Sequence, residues 1–202
     1  TVGSRGLNIV VLDKKSKEVV SSVGIDTHEK DWVFIQKILG EDAAGIWERY
    51  VQDARILPDG IYTIHPYDNQ DYALDIAKGS WEDDANLQLW YSTGKEPQQF
   101  ELRYTGQGLY TIKAMNSGRY LTAYCYGNTN GTNVVQDAYT GLANQKWNIY
   151  RDGNGAYCVM SHYNNLVMNV DGTPPEAGTN IFLYEPVQEN CQSFEFQQKI
   201  FE

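Results

Sequence analysis

Asn144-Gln145-Lys146-Trp147 is the stretch on which the chain repeats itself. Forty-seven residues before Gln145 the sequence reads Gln98-Gln99-Phe100, and 47 residues after it reads Gln192-Ser193-Phe194. Each is a glutamine, any residue, then a large aromatic. The same step of 47 separates Asn86, Asn133 and Asn180, and also Leu74, Leu121 and Met168. Gly-x-Tyr opens each unit at Gly60, Gly108 and Gly155. A fixed period of this size means one supersecondary unit built three times.

Within the first unit, four apolar or alternating runs stand out: Gly60 to Pro66, Tyr72 to Ala77, Leu87 to Ser92 and Gln98 to Tyr104. Turn-forming residues separate them, as in Asp68-Asn69-Gln70 and Ser92-Thr93-Gly94. Short strands at this even spacing predict a closed or sandwiched all-β fold. Three copies of four strands fit a β-trefoil, in which six strands close a barrel and three hairpins cap one end. Phe100, Trp147 and Phe194 are then expected to point inward as one threefold layer.

Composition narrows the partners. The chain has 202 residues and a net charge of −10. Residues 1–55 hold 8 basic and 9 acidic groups, whereas residues 56–202 hold 8 and 17. Such an acidic repeat region argues against nucleic acid or an anionic membrane as partner. No apolar run approaches the length of a membrane span. Thr1 is not a start methionine and no signal peptide precedes it, so an excised part of a longer protein is expected. The odd cysteine count (Cys125, Cys158 and Cys191), without metal-ligand spacing, predicts buried free thiols.

Residues 1–55 differ in kind from the repeats. Leu7 to Leu12 suits a strand, Asp13 to Lys17 a turn, and Val19 to Ile25 the returning strand. Trp32, Ile35, Ile38 and Leu39 then fall at helical spacing, and Gly40 ends the run. Asp42 can cap a second helix carrying Ile46, Trp47, Tyr50 and Val51 on one face. The expectation is a small α+β segment over residues 1–55, joined near Ala54 to Pro58 to a trefoil over residues 56–202.

The three Gln-x-aromatic repeats resemble the ricin B-chain type of lectin, also grouped among carbohydrate-binding modules, from about Leu57 to Ile200. The opening from Ser4 to Asp13, with Asp26-Thr27, resembles part of an interleukin-like (ILEI-type) domain. The lectin resemblance implies a sugar site in the first repeat. There Asp75 would accept bonds from two adjacent sugar hydroxyls and Trp90 would stack on the apolar ring face. Gln88 and Gln98 would supply polar contacts or brace the loop. The chemistry is sound on its own terms, since a carboxylate binds neutral donors strongly and an aromatic platform covers CH groups. Gln88 and Trp90, two apart on one strand, share a side. Where the resembled lectins usually place Asn before the motif glutamine, Pro97 stands, which removes one polar contact. Their common disulfide is also missing, because its positions here are Ala73 and Ser92.

The other repeats diverge at the same places. The second has Thr122, Val135 and Asp137, and is expected not to bind sugar. The third has Asn169, Phe182 and Tyr184, with Gln192 as motif glutamine, and is a candidate second site through Asn169 and Tyr184. His28, His65 and His162 occupy unlike positions, Asp26, His28 and Asp31 suit a capped turn, and Glu82, Asp83 and Asp84 suit a solvated loop. No phosphate loop, nucleophile elbow or zinc spacing occurs. The sequence therefore predicts a non-catalytic lectin module without cofactor or metal. Its expected partners are glycans or glycoconjugates and the remainder of a larger, carbohydrate-active parent, in an extracellular or cell-surface setting. Two alternatives stay open: a trefoil serving as scaffold or protein-interaction module, and residues 1–55 as the tail of an enzyme domain.

Overall fold

The computed structural model describes residues 6–12, 19–26, 55–152, 155–172, 176–187 and 189–200. The chain divides into two compact units, residues 1–53 and 54–202. In the first, β1 (Gly6–Leu12) and β2 (Val19–Asp26) pair antiparallel, from Gly6 opposite Asp26 to Leu12 opposite Val19. The helices expected between Asp31 and Ala54 lie outside the described residues.

The second unit is a β-trefoil. Its first repeat comprises β3 (Gly60–Pro66), β4 (Tyr72–Ile76), β5 (Ala85–Tyr91) and β6 (Phe100–Gly106). The second comprises β7 (Leu109–Ala114), β8 (Tyr120–Ala123), β9 (Thr132–Asp137) and β10 (Trp147–Arg151). The third comprises β11 (Tyr157–Ser161), β12 (Val167–Val170), β13 (Ile181–Tyr184) and β14 (Phe194–Gln198). First and fourth strands of the three repeats pair in a closed ring, β3-β6-β7-β10-β11-β14 and back to β3. Closure leaves no free sheet edge in the barrel. The middle strands form three hairpins, β4–β5, β8–β9 and β12–β13.

The period explains the core. Phe100, Trp147 and Phe194 each begin a fourth strand and each is fully buried. Leu74, Leu121 and Met168 are buried with them, one from each hairpin. The Trp147 indole N–H donates to the Leu121 carbonyl at 3.1 Å, so the largest core ring keeps its polar atom satisfied.

The hairpins are tied to one another in a cycle. Asp84, Gly131 and Gly178 adopt left-handed φ of 62°, 88° and 93°. Each donates its N–H to a neighbouring hairpin: Asp84 to Gln136 O at 3.0 Å, Gly131 to Leu183 O at 2.9 Å, and Gly178 to Leu89 O at 2.7 Å. Inside this ring the three periodic asparagines form a second one. Asn133 donates to Asn86 at 2.7 Å, Asn86 to Asn180 at 2.9 Å, and Asn180 to Asn133 at 3.1 Å. Each side chain gives one bond and takes one, which only a threefold arrangement closes.

Two details depart from the sequence expectations. The motif glutamines do not open the fourth strands. They end short 3₁₀ turns, Glu96–Gln98, Ala143–Gln145 and Asn190–Gln192, and the strands start two residues later. The three thiols are free, and Cys158 is buried, but Cys125 is exposed and Cys191 half-buried. Cys125 sits at φ 47° in the turn Tyr124–Tyr126, within the connection between β8 and β9, outside the core.

Candidate functional site

Each motif glutamine is buried and holds one hairpin in the same way. Gln98 Oε1 accepts from Thr93 N at 2.8 Å, Thr93 Oγ1 at 3.0 Å and Gly94 N at 3.0 Å. Its amide donates to Tyr91 O at 2.9 Å. Gln145 repeats this with Thr140 N and Ala138 O, and Gln192 with Val187 N and Glu185 O. The same amide reaches the side chain where a sugar site was expected. Gln145 donates to Thr122 Oγ1 at 3.1 Å and Gln192 to Asn169 Oδ1 at 3.2 Å. In the first repeat the Gln98 amide lies near enough to the Asp75 carboxyl to lower its pKa. Buried as they are, Gln98 and Gln192 take the bracing geometry.

The first-repeat hairpin places Asp75 opposite Gln88 and Ala73 opposite Trp90. Asp75 is only 8% exposed, and Gln88 Nε2 donates to its Oδ1 at 3.1 Å. Trp90, paired with the small Ala73, is 43% exposed, and the Tyr91 ring meets it edge-on at 6.1 Å. Burial raises the Asp75 pKa above the ordinary carboxylate value, and hydrogen bonds from Gln88 and Gln98 pull it back down. No ion pair with Asp75 forms among the described residues. A neutral amide bonds its carboxylate, whose remaining lone pairs can accept further bonds from neutral hydroxyls.

The third repeat helps to build this first-repeat site. Leu89 N donates to Thr179 O at 2.8 Å, and Gln88 bridges to Asn180. Gly178 lies against Trp90, with room for a Cβ no nearer than 3.9 Å to the ring. The segment around Gly178 thus backs the strand that carries Gln88 and Trp90. Sequence reading missed this contribution, and also the asparagine ring. The spacing of Asn86, Asn133 and Asn180 carried the signal for the ring, but not the bonds that close it.

The second-repeat hairpin keeps the register, with Thr122 opposite Val135 and Tyr120 opposite Asp137. Its surface differs: a buried threonine stands at the carboxylate position and Asp137 at the tryptophan position. Burial, then the nearby Asp84 and Asp83 carboxylates, push the Asp137 pKa up. In the third repeat Asn169 is buried opposite Phe182, and Val167 lies opposite Tyr184. Asn169 already donates to Val170 O at 2.8 Å and accepts from Gln192, and the Cys191 thiol donates to it at 3.4 Å. Phe182 and Tyr184 meet edge to face at 6.1 Å. Among the described residues, no group of three or more His, Cys, Asp or Glu is arranged to hold a metal ion. No helix there is long and apolar enough to cross a membrane.

Comparison with known proteins agrees with this architecture. No protein of curated function matches the chain in sequence. The designed threefold-symmetric protein ThreeFoil is similar at 27% identity and a TM-score of 0.67, over 70% of this chain and 100% of its own. An exo-β-1,3-galactanase from Clostridium thermocellum is similar at 24% identity and a TM-score of 0.64, over 69% of this chain but 30% of its own. A ricin B-like lectin of Macrolepiota procera, solved in complex with lactose, is similar at 18% identity and a TM-score of 0.61, over 71% of this chain and 99% of its own. The family model for the ricin-type β-trefoil lectin domain-like group matches residues 47–137 and 96–184, and the chain belongs to that family.

Proposed function

We propose that this chain is a carbohydrate-binding module, and that its principal site is the first-repeat hairpin. Asp75 and Trp90 are the anchors, Gln88 lines the site and Gln98 braces it. The observation that carries the reading is a buried carboxylate held by the neutral Gln88 amide, on the same hairpin side as a half-exposed indole. Two adjacent hydroxyls of a hexose supply donors to Asp75 while the ring's CH face covers Trp90. A galactose-like ring suits this pair, and other hexoses offer the same chemistry. Binding rather than catalysis is its role. The third repeat, through Asn169, Tyr184 and the brace Gln192, is the weaker second site, since Asn169 is neutral and largely occupied by its own neighbours.

The module targets a larger, carbohydrate-active protein to extracellular or cell-surface glycans. The galactanase, of which the match spans 30%, offers a parallel for such a domain inside a longer chain. A small open site of this kind gives dissociation constants around the millimolar level, near −4 kcal/mol. Useful retention then depends on a second site or on several copies. The test is a broad glycan array, followed by titration of the parent protein, Asp75→Ala and Trp90→Ala with galactosides and other simple hexosides. Binding by the parent at the first-repeat hairpin and its loss there in both variants is expected. Equal binding by Asp75→Ala moves the site elsewhere, and an array without any binder returns the scaffold reading.

A further inference from the structure

We infer that a second saccharide platform lies on the seam between the second and third repeats, built by Tyr126 and Tyr163; this rests on the carbohydrate-binding reading above. Tyr126 is 44% exposed and Tyr163 40% exposed. Their rings meet at 5.4 Å with an interplanar angle of 72°, forming an open aromatic corner. Tyr124, in the same turn as Tyr126, is exposed as well. None of these tyrosines occupies one of the three hairpin positions considered above.

The backbone holds Tyr126 on display. Its φ is 53°, directly after Cys125 at 47°, and both are left-handed conformations that side chains rarely adopt. One period earlier, the first repeat has Gly79 at the position of Tyr126, with φ 59°. Glycine fits such a site without strain, and tyrosine does not. The turn is nevertheless fixed from three directions. Gly127 N donates to Tyr124 O at 2.9 Å, and Asn164 Nδ2 donates to Gly127 O at 2.8 Å. A Cβ on Gly127 would fall 2.5 Å from Thr132 Oγ1, so the turn packs directly on the hairpin. A strained residue held by its surroundings, and spent on an exposed ring rather than on the core, points from structure to function.

The ligand chemistry follows from what the corner offers. Two tyrosine faces cover the CH surface of a pyranose, and phenol hydroxyls can bond its rim. Tyr126 and Tyr163 themselves are uncharged, so the corner takes an uncharged hexose ring without needing a particular pair of adjacent hydroxyls. A glycan engaging both this corner and the Asp75–Trp90 hairpin gains from their linkage.

The experiment is a residue-resolved amide NMR titration of the full chain with methyl β-galactoside and methyl β-glucoside. Parent, Asp75→Ala, Tyr126→Gly and Tyr163→Ala proteins are compared. Tyr126→Gly relieves the strained backbone, so it should melt no lower than the parent and retain the parent spectrum away from the turn. Saturable shifts are expected at Gly127 and Asn164 in the parent and in Asp75→Ala. They should fall at least fivefold in Tyr126→Gly and Tyr163→Ala, while shifts at Gln88 and Trp90 persist. Shifts confined to Gln88 and Trp90 overturn the second platform and leave the first site standing. Shifts confined to Gly127 and Asn164 support the platform and overturn the first site. Shifts at Gly127 and Asn164 that survive both tyrosine substitutions overturn the platform, and no shifts with either sugar overturn both readings.

Discussion

The β4–β5 and β8–β9 hairpins share a backbone and differ in what they present. Both keep the same register, with Asp75 opposite Gln88 in one and Thr122 opposite Val135 in the other. Both are held by a buried motif glutamine through equivalent bonds to a threonine five residues back and a carbonyl seven residues back. Yet one offers a carboxylate beside a half-exposed indole, and the other a threonine and a carboxylate at the indole's position. The hydrogen bonds that make a hairpin run mainly through backbone groups and the motif glutamine, whose amide keeps its backbone partner whatever polar side chain it also meets at the site position. Folding and binding are therefore separable here, and a repeat can change its outward chemistry while its structure stays intact.

The comparison is most severely broken from beneath, by removing what all three repeats share. Trp147→Ala empties a fully buried position and leaves Leu121 O without its donor, and should destabilise the trefoil by about 3–5 kcal/mol. A chemical denaturation midpoint checks it. Trp90→Ala, at a half-exposed ring, should lose less than about 1 kcal/mol in the same assay.

Next come the braces. Gln98→Ala and Gln145→Ala each orphan several buried partners and should lose about 1–3 kcal/mol by similar amounts. The pair separates in binding. Gln98→Ala should also weaken hexoside affinity, because it releases Asp75, whereas Gln145→Ala should leave affinity within twofold of the parent.

The smallest effect is electrostatic. Burial raises the folded pKa of Asp75 above its unfolded value, so the folded chain binds more protons in the window between them. Stability contributed by this group therefore falls as pH rises through that window, and a constant penalty remains above it. Asp75→Asn removes the ionisation, so melts across pH should show the variant gaining on the parent as the solution leaves the acid range. Hexoside affinity of the parent should move the opposite way, falling as acidification protonates Asp75, with a midpoint above the ordinary carboxylate value of 3.8. A flat affinity profile through that range would exclude Asp75 as an anchor.

Much of this was legible in the chain. A step of 47 residues fixes which positions are equivalent, and equivalent apolar positions must share a layer, so Phe100, Trp147 and Phe194 were readable as core. The first-repeat carboxylate and indole were singled out through the lectin resemblance, while strand alternation places Gln88 and Trp90 on one side and the structure sets Asp75 opposite Gln88. Other features were not. The asparagine ring closes through bonds between residues 47 and 94 apart, which local pattern does not encode. The backing of Trp90 by Gly178 likewise depends on a contact between the first and third repeats. The exposure of Cys125 reflects a left-handed turn that a cysteine's apolar character does not announce.

The central claim, that equivalent hairpins differ in binding and not in fold, is tested most directly by titrating methyl β-galactoside into Asp75→Ala and Thr122→Ala side by side with the parent. Both variants should melt within a few degrees of the parent. Read at Gln88 and Trp90, Asp75→Ala should lose affinity at least tenfold, about 1.4 kcal/mol, and Thr122→Ala should stay within twofold. Equal affinities in all three proteins, or a greater loss in Thr122→Ala, would contradict the account.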